Sequence, residues 1–239
     1  MPMSGQKLRP RGLIVAIDGP SGAGKSTITR HLAALLDYVH IDTGAMYRAL
    51  ALAVSRSGVP VDDDAQVLAV CKQSTVAFCR KQGQICVTLN GEDVSDLIRT
   101  PEISLLTSHI AGMRGVRELL LTLQREMGHD GGVVLEGRDI GTVVFPDADV
   151  KFFLSASPEE RGRRRYLELK AKGEPVDLER TIAEVIARDN QDTGRDHAPL
   201  RQAEDAIAID STALSIDQVV ERMAGVVKER QRSAGPAAA

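Results

Sequence analysis

Residues 19–27 read GPSGAGKST, directly after the apolar run LIVAID (13–18) and directly before the helix-like stretch ITRHLAALL. This fits G-x-x-x-x-G-K-[ST] in a strand–loop–helix setting, which cradles the phosphates of a nucleoside triphosphate. Glycines let the backbone turn so that successive N–H groups converge on an anion. The N-terminus of the following helix adds positive dipole at the same place. The phosphate loop therefore comprises Gly19, Pro20, Ser21, Gly22, Ala23, Gly24, Lys25, Ser26 and Thr27. In this reading Lys25 reaches the β- and γ-phosphates and the Ser26 hydroxyl faces Mg²⁺. The loop accounts for a phosphate donor and says nothing about the acceptor.

Arginines supply the second signal. Arg48 lies in IDTGAMYR, Arg114 and Arg117 in MRGVRE, Arg138 and Asp139 in LEGRD, and Arg188, Asp192 and Arg195 in ARDNQDTGRD. Guanidinium groups suit phosphates because their donors form a planar fork and stay charged. A site that joins donor and acceptor phosphates holds many negative oxygens, so converging arginines make physical sense. Any one of them is equally read as a surface-paired charge, except at strand ends, where ligands of open α/β sheets gather. Arg138 and Asp139 occupy such an end. Asp139 reads as a metal ligand, a base-recognising acceptor or a helix N-cap. His40 and His109 read as hydrogen-bonding rather than catalytic residues, and no Ser–His–Asp grouping is legible.

The elements that must position these groups alternate. Apolar runs at 14–17, 133–135, 150–154 and 206–209, with a shorter one at 38–41, are separated by helical spacing at 25–36, 45–57, 116–127, 158–171, 178–191 and 215–229. Strands alternating with helices predict an α/β fold: a five-stranded parallel sheet with right-handed crossovers, covered by helices on both faces. Residues 61–100 break the rhythm with a short helix, then STVAFCR and QICVTLNGEDVSD. Their alternation predicts antiparallel strands, with one turn at KQGQ (81–84) and another at Asn90-Gly91. A small antiparallel subdomain inserted into the parallel core follows.

The 239 residues suffice for one large α/β domain with a substantial core. A net charge of −3 argues against a chain-wide nucleic-acid surface, although RGRRR (161–165) leaves local anion binding open. Cys71, Cys79 and Cys86 are odd in number and lack C-x-x-C spacing, so neither a disulfide framework nor a zinc site is expected. The opening MPMSGQKLRPRG has no long apolar run and is not expected to act as a signal peptide. No apolar stretch is long enough to predict a membrane span. The tail SAGPAAA is expected to be frayed.

Taken together, GPSGAGKST, IDTGAMYR, GEDVSDLIRT, LEGRDIGTVVFPDADVKFFLSASPEER and RDNQD…R…APL resemble the bacterial cytidylate kinases, from about residue 12 to about residue 230. The resemblance implies a P-loop kinase fold with a core, a nucleoside-monophosphate-binding region carrying the insert, and a short helical lid. By position it divides the chain into core at 12–60, insert at 61–100, monophosphate-binding helices and core at 101–160, lid at 161–173, core at 174–230 and a disordered tail at 231–239. It implies transfer of the ATP γ-phosphoryl group to CMP or dCMP with Mg²⁺, by a cytoplasmic monomer without nucleic-acid or membrane partners. Ser108, Arg117 and Asp139 fall where such enzymes contact cytosine, and Arg188 and Asp192 where they hold the pentose. Thr43, Arg48, Arg138 and Arg195 fall around the acceptor phosphate. Two departures stand out: Ser26 where many monophosphate kinases have Gly followed by Thr, and Thr43 where Ser is common. Both keep a hydroxyl available, and they leave open whether Ser26 or Thr27 faces the metal.

Three other readings of the loop are weighed against this one. Another small P-loop kinase, acting on UMP or on an alcohol such as shikimate, would lack the insert and the GRDIGTVVFPDA block. A GTPase switch would need N-K-x-D, and DNQD lacks the Lys. A scaffold that binds ATP without turnover leaves the acceptor-side arginines unexplained.

Overall fold

The computed structural model describes residues 11–81, 84–195 and 197–234. Its elements run β1 (Ile14–Asp18), α1 (Lys25–Leu36), β2 (Val39–Asp42), α2 (Thr43–Ser57), α3 (Asp64–Gln73), β3 (Val76–Lys81), β4 (Gln84–Leu89), β5 (Glu92–Asp93), α4 (Pro101–Ile110), α5 (Arg114–Gly128), β6 (Val133–Gly137), β7 (Val150–Ser155), α6 (Pro158–Ala171), α7 (Leu178–Thr193), β8 (Ile207–Asp210) and α8 (Ile216–Ala234). Two compact units result, one of residues 1–41 with 127–239 and the other of residues 42–126.

The larger unit is organised by a five-stranded sheet in the order β2-β6-β1-β7-β8. β1 pairs in parallel with β6 and β7, and β7 with β8. Its central strands β1 and β6 are buried along their whole length, as strands covered on both faces must be. The edges differ from the sequence expectation: β2 exposes Val39 and β8 exposes Ile207, because an edge strand has only one neighbour to cover it. The core packs Val15, Ile17, Leu32, Phe152, Leu154, Val219 and Met223 together. In the smaller unit β3, β4 and β5 form the expected antiparallel sheet. The Asn90-Gly91 turn has both residues at positive φ, 52° and 86°, the signature of a tight hairpin turn. Of the 81–84 turn, residues 82 and 83 lie outside the described residues.

Four features depart from the sequence reading. α4 was hidden because its stretch, PEISLLTSHI, is only partly amphipathic; its signals are local, with Thr100 capping the Ile103 amide and Pro101 in the first turn. α8 continues to Ala234, so residues 231–234 of the expected disordered tail are helical, while 235–239 lie outside the described residues. Cys79 and Cys86 form a disulfide, leaving Cys71 buried as a free thiol. That pairing is a matter of register, which sets Cys79 directly opposite Cys86 across β3 and β4 and which a count of cysteines does not contain. The basic 161–165 run is not an open anion site, since Arg163 and Arg164 pair with Glu160, Arg165 with Glu168 and Arg161 with Asp189.

A short π-helical turn, Ile140–Val144, follows β6. Its first amides, Ile140 and Gly141, donate to Asp18 Oδ1 and Oδ2 at 2.8 and 2.7 Å. Burial pushes the Asp18 carboxyl up to about 6, against the pull of these two amides. Helices α6 and α7 approach so closely that a Cβ on Gly162 would collide with the Ile182 side chain and lie 2.8 Å from its Cα.

Two stability predictions follow. A carboxyl raised on folding holds its proton better in the native state, so its contribution is full below about pH 4 and is lost as pH rises through about 6. Denaturant titrations of wild type and Asp18→Asn between pH 4 and 6.5 should show wild type losing about 2 kcal/mol relative to the variant. A pH-independent difference would show that the shift is absent. Gly162→Ala should lower stability by about 1–3 kcal/mol through overpacking, read as a fall of several degrees in Tm.

Candidate nucleotide site

The phosphate loop lies between β1 and α1, where the sheet ends. Gly19 has φ 151°, and a Cβ there would run into the Leu154 carbonyl of the neighbouring β7, so the turn out of the sheet admits only glycine. Lys25 folds back over the loop, its Nζ donating to the Gly19 and Pro20 carbonyls at 2.7 Å each. Burial first, and then the nearby Arg138, push its ammonium pKa well below the usual lysine range, while Glu136, Asp18 and Asp192 oppose them. The loop is pinned from behind: buried Arg161 donates to the Ser21 carbonyl at 2.9 Å and forks onto Asp189 at 3.1 and 2.5 Å.

The Ser26 hydroxyl is tied to a carboxylate. Its Oγ donates to Glu136 Oε2 at 2.8 Å, and His40 Nε2 meets Glu136 Oε1 at 2.9 Å. Glu136 is a buried carboxylate in the apolar strand β6, and it was not singled out in the sequence. Its signal was there: an acid inside VVLEG has no reason to be buried unless it has partners. A hydroxyl beside a carboxylate at the mouth of a phosphate loop is the hard-oxygen donor set that Mg²⁺ prefers, so the residues present fit the metal. Among the described residues there is no cluster of three or more His, Cys, Asp or Glu that would hold an ion without the nucleotide.

In the same unit the structure brings together Arg138, Asp192 and Arg195. Arg138 Nε donates to Asp192 Oδ2 at 2.8 Å and Arg195 Nη2 to Oδ1 at 2.6 Å. Burial works to raise the Asp192 carboxyl, but Arg138 and Arg195, with Arg188 behind them, hold it below the usual carboxylate range. Asp192 is thus a strut between two arginines that end elements far apart in sequence. Asp139 is buried beside Arg138 at the N-cap position of the π turn, yet its side chain makes no cap hydrogen bond.

The smaller unit holds the remaining residues. Thr43 opens α2 and is buried. Arg48, one turn on, donates through Nη2 to Asp42 Oδ2 at 2.9 Å, while Asp42 Oδ1 caps the helix by accepting from the Ala45 amide at 2.9 Å. Asp42, another residue the sequence reading passed over, therefore serves as cap and arginine anchor at once. Arg117 lies over the Tyr47 ring, 5.9 Å from its centroid, and donates to the Ala111 carbonyl at 3.1 Å. Ser108 is buried, its hydroxyl 3.4 Å from the Ser104 carbonyl. His109 bonds the Val61 carbonyl, a structural contact, as its sequence context implied.

Comparison with known proteins places this geometry. The family model described as cytidylate kinase matches residues 15–229. A cytidylate kinase of Geobacter sulfurreducens is 66% identical over 93% of this chain and 96% of its own length. One of Syntrophotalea carbinolica is 63% identical over 95% and 96%, and one of Caldicellulosiruptor bescii 47% identical over 87% and 92%. With the phosphate loop, the arginine clusters and the antiparallel insert all on one chain, these matches show that the chain belongs to the cytidylate kinase family.

Proposed function

We propose that this chain transfers the γ-phosphoryl group of ATP to CMP or dCMP, giving ADP and the nucleoside diphosphate. The observation that carries this reading is the Arg138–Asp192–Arg195 cluster, which lies within electrostatic reach of the phosphate-loop Lys25. A kinase acting on UMP or on shikimate is disfavoured by the family membership.

The acceptor is a phosphate oxygen that is already largely anionic near neutral pH, so the chain needs no general base. The task is to align two polyanions and offset their repulsion. Lys25 and the amides of residues 19–27 hold the donor phosphates. Ser26 and Glu136 would hold Mg²⁺, which would supply charge neutralisation to the donor phosphates. Arg138 and Arg195, both paired with Asp192, are assigned to the acceptor phosphate, as are Thr43 and Arg48 by their position in the family motifs. Arg48 is presented by Asp42 in one rotamer rather than left to sample many, which lowers the ordering entropy on binding. Arg188 and Asp192 hold the pentose. Ser108, Arg117 and Asp139 read the base: a carboxylate accepts from the cytosine amino group, whereas uracil offers a carbonyl oxygen that repels it. Residues 161–173 act as a lid that excludes water. No helix among the described residues is long and apolar enough to cross a membrane. We read the chain as a cytoplasmic monomer on its family resemblance alone.

Lys25→Ala should reduce kcat by about a thousandfold, with the circular dichroism spectrum unchanged. Near-native turnover in that variant would remove the phosphate loop from the mechanism. Asp139→Ala should lower the ratio of kcat/KM for CMP over UMP roughly 10- to 100-fold while KM for ATP moves little. An unchanged ratio would take Asp139 out of base recognition.

A further inference from the structure

A buried guanidinium keeps its charge and its five donors, so acceptors inside the protein must answer it. Arg161, in the opening turn of α6, is 3% exposed and is answered by three separate pieces of the larger unit. Its Nε donates to the Ala156 carbonyl, just after β7, at 2.9 Å. Its Nη1 donates to the Ser21 carbonyl of the phosphate loop at 2.9 Å. Its two terminal nitrogens fork onto Asp189 of α7 at 3.1 and 2.5 Å. The backbones close in around the same ion pair. A Cβ on Gly22 would lie 3.1 Å from Arg161 Cβ, and one on Gly162 would lie 2.8 Å from Ile182 Cα in α7. Loop, α6 and α7 are therefore packed so tightly that none of them shifts without the others.

Each end of this link reaches a different half of the reaction. The Ser21 carbonyl and the Gly22 N–H belong to one planar trans peptide and point in opposite directions. Arg161, by holding the carbonyl, turns the Gly22 amide to the other side, and Gly22 is one of the loop residues whose amides converge on phosphate. At the far end, Asp189 stands one residue after Arg188 and one helical turn before Asp192. Asp192 is itself held by Arg138 at 2.8 Å and Arg195 at 2.6 Å. Helix α7 is thus fastened at successive turns, once to the phosphate loop through Arg161 and once to the end of β6 through Arg138. We infer that Arg161 and Asp189 are positioning residues that couple the donor loop to the acceptor helix. A phosphate group held by the loop steadies α7, and the acceptor then binds to a helix already in place. The ordering entropy of α7 is lost once, on the first ligand, and not again on the second. By linkage the acceptor tightens the donor by the same factor. α7 is the acceptor helix under the proposed function, and the coupling rests on that reading.

Calorimetric titration gives the Kd of CMP alone and with a saturating non-hydrolysable ATP analogue and Mg²⁺, in wild type, Asp189→Asn and Arg161→Lys. Hydrogen exchange of residues 178–193 is followed with and without the analogue. Asn at 189 keeps the volume but sets an amide donor against one arm of the guanidinium, and Lys at 161 keeps the charge but cannot fork. In wild type the analogue should tighten CMP about tenfold and slow exchange in α7. In both variants the tightening should fall to within about twofold of none, while the Kd of CMP alone stays within about threefold of wild type. A merely structural pair would lower Tm and weaken CMP equally with and without the analogue. The tightening would then survive in the variants, and that result overturns the coupling, as does a wild type that shows no tightening. If neither variant folds, the wild-type exchange decides: slowing in α7 on analogue binding supports the coupling and unchanged exchange ends it. A wild type that binds the analogue but no CMP overturns the proposed acceptor instead, and the exchange result then decides the coupling separately.

Discussion

The parallel pairing of β1 with β6 brings Asp18 level with Gly137, and much of the larger unit's chemistry is arranged around that coincidence of strand ends. Because the two strands finish at the same height, the phosphate loop leaves the sheet beside the turn that carries Arg138 and Asp139. The phosphate loop and the Arg138–Asp139 pair therefore start from one sheet edge, and rigid elements hold side chains more accurately than loops do. The same pairing aligns Glu136 with Ile17 and lets its carboxylate reach Ser26. Slipping this pair by one residue would turn Glu136 and the arginine to the opposite faces of the sheet.

The second organising constraint is charge. Within the larger unit several cations crowd together, Arg138 beside Lys25 and Arg138, Arg188 and Arg195 around Asp192, and like charges repel one another. The protein offsets this with carboxylates: Asp192 between Arg138 and Arg195, Glu136 and Asp18 near Lys25 and, within the smaller unit, Asp42 against Arg48. Each carboxylate paired with an arginine also fixes geometry, since an arginine already held has fewer rotamers to lose when ligand binds. The depressed lysine pKa and the depressed Asp192 pKa belong to this arrangement, one a cation buried and then set beside Arg138, the other an anion surrounded by arginines.

Legibility in the sequence followed the range of the interaction concerned. The phosphate loop, helices α1 and α6 and the Asn90-Gly91 hairpin turn were readable because their causes lie within a few residues: glycine spacing, helical periodicity, a turn-forming dipeptide. Arg138 and Asp139 were picked out by position alone, at the end of an apolar run. Asp18, Asp42 and Glu136 were not, since a carboxylate looks the same in a sequence whether it is solvated or is satisfying a partner more than a hundred residues away, as Glu136 does for Ser26. The Cys79–Cys86 disulfide depended on hairpin register, and α4 on packing that its weak periodicity does not advertise.

By itself the sequence determined the chemistry on offer: an anion-binding loop, a supply of arginines, and strands and helices in the order that builds a parallel sheet. Each of these is set by residue type and short-range spacing, which survive reading in one dimension. Only the tertiary structure decided which carboxylate serves which cation, which hydroxyl meets Glu136, and that Asp18 rather than Asp139 caps the turn after β6. Those outcomes are choices among chemically equivalent partners. Distance and burial make such choices, and both exist only once the strands have paired.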